Sequence, residues 1–331
     1  MAKAILLFSG GLDSILAAHI LRREGVRINA LYCHTVFSSL SKKEARDNLL
    51  GILSPLKIPL RVVDISSRHI GLLKNARYGC GKNLNPCIDC KIVMFKEAAK
   101  YKKSIGADFV ASGEVLGERP MSQRKDVFSI IERDSGLRGL ILRPLSAKLL
   151  KPAVAEDKGL IKRDNFYGIQ GRGRRNQIAL AEEFGIKDFP TPSGGCLLTN
   201  PSFCRRLKDT IVHKAGFDIY DCRLLKVGRH FRLSTRSKLI VSRDKDENTK
   251  LKKLAGKNAV IIYPLRVKGP LAAMVGEFNE RLINEAVYIL ARYCKGKGSS
   301  LRIKVNTPQD KYIIEIDNTS GLERRKKAFI V

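Results

Sequence analysis

The sequence predicts an α/β fold, a Rossmann-like parallel sheet with helices on both faces, followed by a smaller basic α+β domain. Three observations carry this. Short apolar runs alternate with helix-period segments through the first half of the 331 residues. The first apolar run opens into a glycine turn that leads straight into a helix-period segment. From about residue 200 short strand patterns take over, and basic residues become denser.

In chain order, Ala4–Phe8 is an apolar run followed by the loop Ser9–Ser14, and Ile15–Glu24 has helical periodicity with Gly25 suited to a C-cap. Val26–Cys33 reads as a second strand, Lys42–Leu53 as a helix stopped before Pro55, and Leu60–Ile65 as a third strand. Cys87–Ile105 reads as a long helix entered through Pro86 and ended by Gly106, and Phe109–Ser112 as a fourth strand. Strands separated by helices imply a parallel sheet, whose ligands sit at the C-terminal ends of the strands. Between 145 and 200 the pattern loosens: Ile178–Phe184 is helical, and Pro190, Pro192, Gly194 and Gly195 make a breaker-rich stretch. Beyond it Leu224–Val227, Leu239–Val241 and Ala259–Tyr263 read as strands, Glu277–Tyr293 as a helix, and Leu301–Val305 with Tyr312–Ile316 as a closing hairpin. The expected domains are 1–200 and 201–331.

Lys and Arg number 62 against 32 Asp and Glu, a net charge of +30. Residues 1–200 hold 33 basic and 19 acidic residues and residues 201–331 hold 29 and 13, so the shorter segment is the denser patch. Such a surface calls for a polyanion, and nucleic acid is the expected partner. The five-residue apolar run near the N-terminus is too short for a signal peptide or a membrane span, so the expectation is a cytoplasmic protein that uses no membrane. Eight cysteines in such a chain are expected to be thiols, with metal binding or catalysis reserved for those that cluster.

The loop Ser9-Gly10-Gly11-Leu12-Asp13-Ser14 lies between a strand and a helix. Its glycines permit a tight turn and close approach of backbone to a ligand, and N–H groups at a helix start attract an anion. Ser9 and Ser14 add hydroxyl donors, and Asp13 is a candidate Mg²⁺ ligand. The lysine of the GxxxxGK[ST] loop is missing. The segment resembles the PP-loop of the ATP-pyrophosphatase superfamily, whose members cleave ATP between the α and β phosphates and adenylate a substrate oxygen. That resemblance implies a pyrophosphate site at Ser9, Gly10, Gly11, Leu12, Asp13 and Ser14, with the adenine near Leu31–His34, hence Tyr32.

Asn85-Pro86-Cys87-Ile88-Asp89-Cys90-Lys91 opens a predicted helix, where the helix N-terminus and Lys91 favour thiolate. Cys196 sits in a Gly-rich turn. Three thiolates leave a fourth metal position open, whereas Cys80 as a fourth ligand would close the site around a structural zinc. NPCIDCK followed by MFKEA resembles the motif of tRNA 2-thiouridylases, whose second active cysteine also lies about a hundred residues later. GADFVASGEVLGERPMSQ stands where that family has an Ala-Thr-Gly-His-Tyr strand end at the nucleotide, which implicates Gly113, but Glu114-Val115 replaces His-Tyr. The resemblance, over roughly 1–200, implies ATP-dependent thiolation of a tRNA uridine. It leaves two chemistries open: a persulfide on Cys90 or Cys196 resolved by its partner, or a 4Fe–4S cluster held by Cys87, Cys90 and Cys196. The catalytic candidates are Cys90, Cys196 and Asp13, and the sulfur donor is expected in trans. A small-molecule PP-loop ligase with a structural zinc, of the kind used in 7-deazaguanine synthesis, is the alternative.

Residues 205–275, with Val227-Gly228-Arg229-His230-Phe231-Arg232, are similar to an NFACT-type RNA-binding domain. Arg229 and Arg232 are expected on phosphates, with Phe231 stacking on a base. Arg172, Arg174 and Arg175 form a second candidate RNA contact.

Overall fold

The structure, a computed structural model, describes residues 1–189, 195–295, 300–317 and 329–330. The chain divides into two compact units, Met1–Thr199 and Asn200–Val331.

The first unit runs β1 (Lys3–Leu7), α1 (Leu12–Arg23), β2 (Arg27–His34), α2 (Lys42–Leu53), β3 (Leu60–Asp64), α3 (Ser66–Lys74), α4 (Cys87–Ile105), β4 (Phe109–Ser112), α5 (Lys125–Ser135), β5 (Ile141–Leu142), α6 (Val154–Asp157) and α7 (Arg175–Glu183). Its five strands pair in parallel in the order β3-β2-β1-β4-β5. Period-two alternation covers both faces. Ala4 and Leu6 of β1 pack with α1 and α7, while Ile5 packs with Ile92, Phe95 and Ala98 of α4. The chain leaves β1 toward β2 on one side and reaches β4 on the other, so the order reverses beside β1. A crevice opens at the C-terminal ends of the strands at such a switch point.

The second unit runs α8 (Pro201–His213), α9 (Ile219–Leu224), β6 (Arg229–Ser234), β7 (Ser237–Val241), α10 (Lys245–Leu254), β8 (Val260–Pro264), β9 (Ala272–Gly276), α11 (Glu280–Ala291), β10 (Ser300–Asn306), β11 (Lys311–Asp317) and β12 (Phe329–Ile330). Its sheet order is β11-β10-β8-β9-β7-β6-β12, with antiparallel neighbours throughout. Leu239, Val241 and Met274 face α11, while Ile240 and Ala273 face Leu251 of α10 and Leu224 of α9. The sequence expectation of a strand at Leu224–Val227 is corrected here. Asp218 caps α9 by accepting from the Asp221 N–H, the helix runs through Leu224, and Leu225–Gly228 turns the chain into β6. No helix among the described residues is long and apolar enough to cross a membrane.

Strand β9, an antiparallel neighbour of β7, ends at Gly276, which has φ +99° and faces Ser237 in register. A Cβ there would stand 1.9 Å from the Arg236 carbonyl oxygen. Gly276→Ala is therefore expected to destabilise the second unit by about 1–3 kcal/mol, read as a lower urea midpoint at unchanged slope. An unchanged midpoint would show that the turn yields without cost.

Candidate nucleotide and cysteine site

The β1–α1 connection is built from short-range bonds. Gly11 caps α1 in extended conformation, and its carbonyl accepts from the Ser14 hydroxyl at 2.8 Å. Ser9 and Ser14 hydroxyls lie 3.4 Å apart, and the Gly11 N–H donates to Ser9 Oγ at 3.4 Å. Gly10 has φ +78°, and a Cβ there would press on Leu49 at 2.6 Å. Gly113, just past β4, lies directly on the first turn of α1: a Cβ would stand 2.4 Å from the Asp13 carbonyl and 2.5 Å from the Ser14 nitrogen. The loop and Gly113 thus face each other across the crevice between β1 and β4.

Asp13 is half-buried at this crossing. Burial raises its carboxyl pKa, opposed by Arg174, Gln177 and Arg119, and its Oδ1 has no hydrogen-bond partner. Glu118 is also shifted upward, first by burial and then by Asp13, against the pull of Arg119, Arg174 and Lys91. Nε of Arg174 and both polar side-chain atoms of Gln177 are buried and unpaired as well. Two carboxylates of raised proton affinity and a set of unsatisfied polar atoms around a phosphate-type loop suit a ligand that brings both anionic oxygens and a cation. Arg174, read from the sequence as an RNA contact, faces Asp13; Arg172 and Arg175 are exposed. Tyr32, on β2, packs against the α1 side of the core with its hydroxyl in hydrogen-bond contact with Ser38.

Glu114 accounts for the departure from the His-Tyr pattern. It is buried, paired with Lys91, and accepts from Arg143 Nε at 3.1 Å and from the Ser112 hydroxyl at 3.1 Å. Burial alone would raise its pKa, but the Lys91 and Arg143 cations hold it below the usual carboxylate value. Arg143 also reaches Glu132 at 2.7 Å and lies 3.8 Å over the Phe128 ring. The residue after Gly113 is therefore a strut that fixes Lys91, the neighbour of Cys90, beside the loop.

Cys90 is buried, and its thiol is pushed far up by burial, then by Cys196 and Cys87. Cys196 and Cys87 thus each lie within electrostatic reach of Cys90. Asn85 Nδ2 donates to Cys87 Sγ at 3.2 Å. The stretch bearing Cys196 is strapped to the chain after β2: the Ser39 N–H donates to the Gly195 carbonyl at 3.0 Å and the Leu197 N–H to the Phe37 carbonyl at 2.8 Å. Asn83 holds the Thr199 carbonyl at 2.9 Å. Pro190–Gly194, read as part of the breaker-rich stretch, lie outside the described residues. Cys80 is exposed, and Asp89 and Cys87 both add to the burial that raises its pKa. Among the described residues no three His, Cys, Asp or Glu side chains stand where they could together hold a metal ion.

His69 and Thr35 were not read from the sequence as site residues. The Thr35 hydroxyl bonds His69 Nδ1 at 2.8 Å, and Cys90 Sγ lies 4.0 Å from the same nitrogen. Burial pushes the His69 pKa down to about 4, so the ring is neutral. In the second unit Phe231 is corrected: it is 4% exposed and packs in the core beside Tyr293, so it offers no face to a base. Arg232 grips Asp209 through two bonds of 3.0 and 2.6 Å, and Arg229 lies 4.9 Å over the Tyr293 ring.

With this geometry in place, residues 1–151 match the family profile described as thiamine biosynthesis protein (ThiI). That match covers most of the first unit. Residues 228–326 match the NFACT protein RNA binding domain, so the second unit carries an RNA-binding domain of that type. A probable tRNA sulfurtransferase of Methanosarcina acetivorans is 30% identical over 226 residues, 68% of this chain and 46% of that protein. The tRNA-specific 2-thiouridylase MnmA of Petrotoga mobilis is 25% identical over 291 residues, 79% of this chain and 75% of its own length. Among solved structures, the U34-tRNA thiolase NcsA of Methanococcus maripaludis, with its 4Fe–4S cluster, is similar at 18% identity, covering 68% of this chain and 73% of that one with a TM-score of 0.35. The chain spans about half the length of the first sulfurtransferases it matches, 46% and 45%.

Gly113→Ala is expected to push the strand end off the Asp13–Ser14 backbone and destabilise the first unit by about 1–3 kcal/mol, read as a lower urea midpoint. An unchanged midpoint would show that the close approach does not shape the loop.

Proposed function

We propose that the protein is an ATP-dependent tRNA sulfurtransferase, which adenylates a uridine carbonyl oxygen and replaces that oxygen with sulfur. One observation carries the reading: the loop at Gly10–Ser14 and the cysteine-bearing start of α4 meet through Gly113, Glu114 and Lys91. An adenylating site beside a group of thiols is what oxygen-to-sulfur exchange requires. The RNA-binding domain over 228–326 favours a base within RNA over the small molecule of a ligase.

In this reading Ser9, Ser14 and the N–H groups around Gly10 and Gly11 receive the pyrophosphate end of ATP. Asp13 and Glu118, the second of which has its proton affinity raised by the first, would hold Mg²⁺, which supplies charge neutralisation at the phosphates. Arg174 and Arg119 face the same point and offset charge that builds on the leaving pyrophosphate. The uridine, taken out of its stack, attacks the α phosphorus through its carbonyl oxygen, and the bond from that phosphorus to the β-bridging oxygen breaks. A sulfur nucleophile brought to the cysteines then adds to the activated carbon, and AMP departs with the original carbonyl oxygen. A urea-type oxygen leaves poorly, which is why the adenylate is needed. Sulfur arrives from a donor in trans, either as sulfide that adds directly, or as the outer sulfur of a persulfide passed to one thiol, whose S–S bond a second thiol then cleaves to leave a disulfide.

A 4Fe–4S cluster on Cys87, Cys90 and Cys196 is the second reading, favoured by the nearness of both Cys87 and Cys196 to Cys90. The donors do not form a closed set as they stand, so no step is routed through it. Iron and acid-labile sulfide in anaerobically purified protein would establish it, and their absence there would leave the thiols as the sulfur carriers.

Cys90→Ala is expected to lower thionucleoside formation by at least about a hundredfold while tRNA-dependent release of pyrophosphate from ATP persists. Mass spectrometry of nucleosides digested from tRNA after reaction with ATP and sulfide checks it. Wild-type thiolation in this variant would remove the cysteine from the reaction.

A further inference from the structure

The second unit holds a cavity of about 510 Å³ lined by residues of that unit, from Thr210 to Gly276. Leu224, Ile240 and Val275 give it apolar walls, and Tyr220, 38% exposed, lines it with its hydroxyl donating to the Ala255 carbonyl at 3.0 Å. His230 lies in the wall and is 1% exposed. Its Nε2–H donates to the Val227 carbonyl at 2.9 Å, which fixes the tautomer and leaves Nδ1 as an acceptor. That Nδ1 is buried and has no hydrogen-bond partner. Burial holds the ring neutral, so the acceptor persists at neutral pH.

Cations mark the cavity's lining in two ways. Arg232 and Lys238 are committed to Asp209, at 2.6 and 2.9 Å, in pairs that are mostly buried. Lys214 and Arg236 are exposed and hold Asp221 and Glu277 at 2.8 and 2.7 Å, in surface pairs that exchange readily for another anion. Lys257 is exposed and has no acidic partner among the described residues.

A ligand fitting these walls needs an apolar body, an N–H for His230 Nδ1, and an anion within reach of Lys214, Arg236 or Lys257. A nucleotide has all three: a base with an amino or imino N–H, and its phosphate. The NFACT match begins at residue 228 and includes His230, so the anion is assigned to RNA. We propose that this cavity receives one unstacked nucleotide of the bound RNA, with the base donating to His230 Nδ1 and its phosphate at the exposed cations. Tyr220 supplies the aromatic face that Phe231, buried in the core, does not. The proposal rests on the RNA-binding match and is independent of the thiolation chemistry.

The test uses the full chain, a short single-stranded oligoribonucleotide of mixed sequence, and no ATP, so that its failure is separable from failure of the sulfur-transfer reading. His230→Phe removes the acceptor together with the Nε2–H donated to the Val227 carbonyl; Val275→Trp fills the cavity. Each is expected to weaken binding by fluorescence anisotropy about tenfold at fixed low salt, measured well below the variant's own thermal midpoint. An oligonucleotide carrying photoreactive thiobases is expected to cross-link the wild-type chain at Tyr220 or His230, a readout that needs no variant to fold. Wild-type affinity in both folded variants, or cross-links confined to residues outside 213–276, would overturn the proposal.

Discussion

The close approach of Gly113 to the Asp13–Ser14 backbone is the contact on which the first unit depends. Only a residue without a Cβ fits, because the added atom would stand 2.4 Å from a carbonyl carbon and its oxygen. The approach occurs beside β1, where the strand order reverses, so it brings the phosphate-type loop and the end of β4 to one crevice. The next residue, Glu114, is locked by Lys91 and Arg143, and Lys91 carries Cys90 with it. A buried carboxylate stripped of one cation would be strongly disfavoured, so the network holds the geometry as a unit.

What was legible in the sequence was local. Gly10, Gly11 and the strand–helix context announced the loop, and Pro86 with Gly106 bounded α4, because each rests on backbone conformation that neighbouring residues dictate. The roles of Glu114 and Arg174 were not legible. Lys91 and Arg143 reach Glu114 from 23 and 29 residues away, and Arg174 meets Asp13 across some 160 residues of chain, pairings no local pattern encodes. His69 was missed for the same reason, since its link to Cys90 passes through tertiary packing. Helix α10 was missed because only Leu251 is buried on it, leaving no apolar stripe, whereas α8 did carry a readable signal in Asn200, which caps it, followed by Pro201. Phe231 shows the opposite error: an aromatic between arginines on a short strand looked exposed, but strand alternation turns it into the core.

The excess of positive charge is handled differently within the second unit. Asp209 absorbs Arg232 and Lys238 into a mostly buried cluster, where desolvation and pairing make them part of the fold. Exposed cations such as Lys214, Arg236 and Lys257 remain available for phosphate at little cost. Net charge alone does not count the cations open to a polyanion; burial decides which of them a phosphate can meet.

The central claim is that ATP activates a carbonyl oxygen of the base that then receives sulfur. It is tested most directly by following that oxygen. tRNA carrying a heavy-oxygen label at the uridine carbonyl is incubated with the protein, ATP and sulfide, and the AMP is weighed. The account predicts one labelled oxygen in AMP for each thionucleoside formed. Thionucleoside formed with unlabelled AMP, the heavy oxygen appearing in water or pyrophosphate, would contradict it.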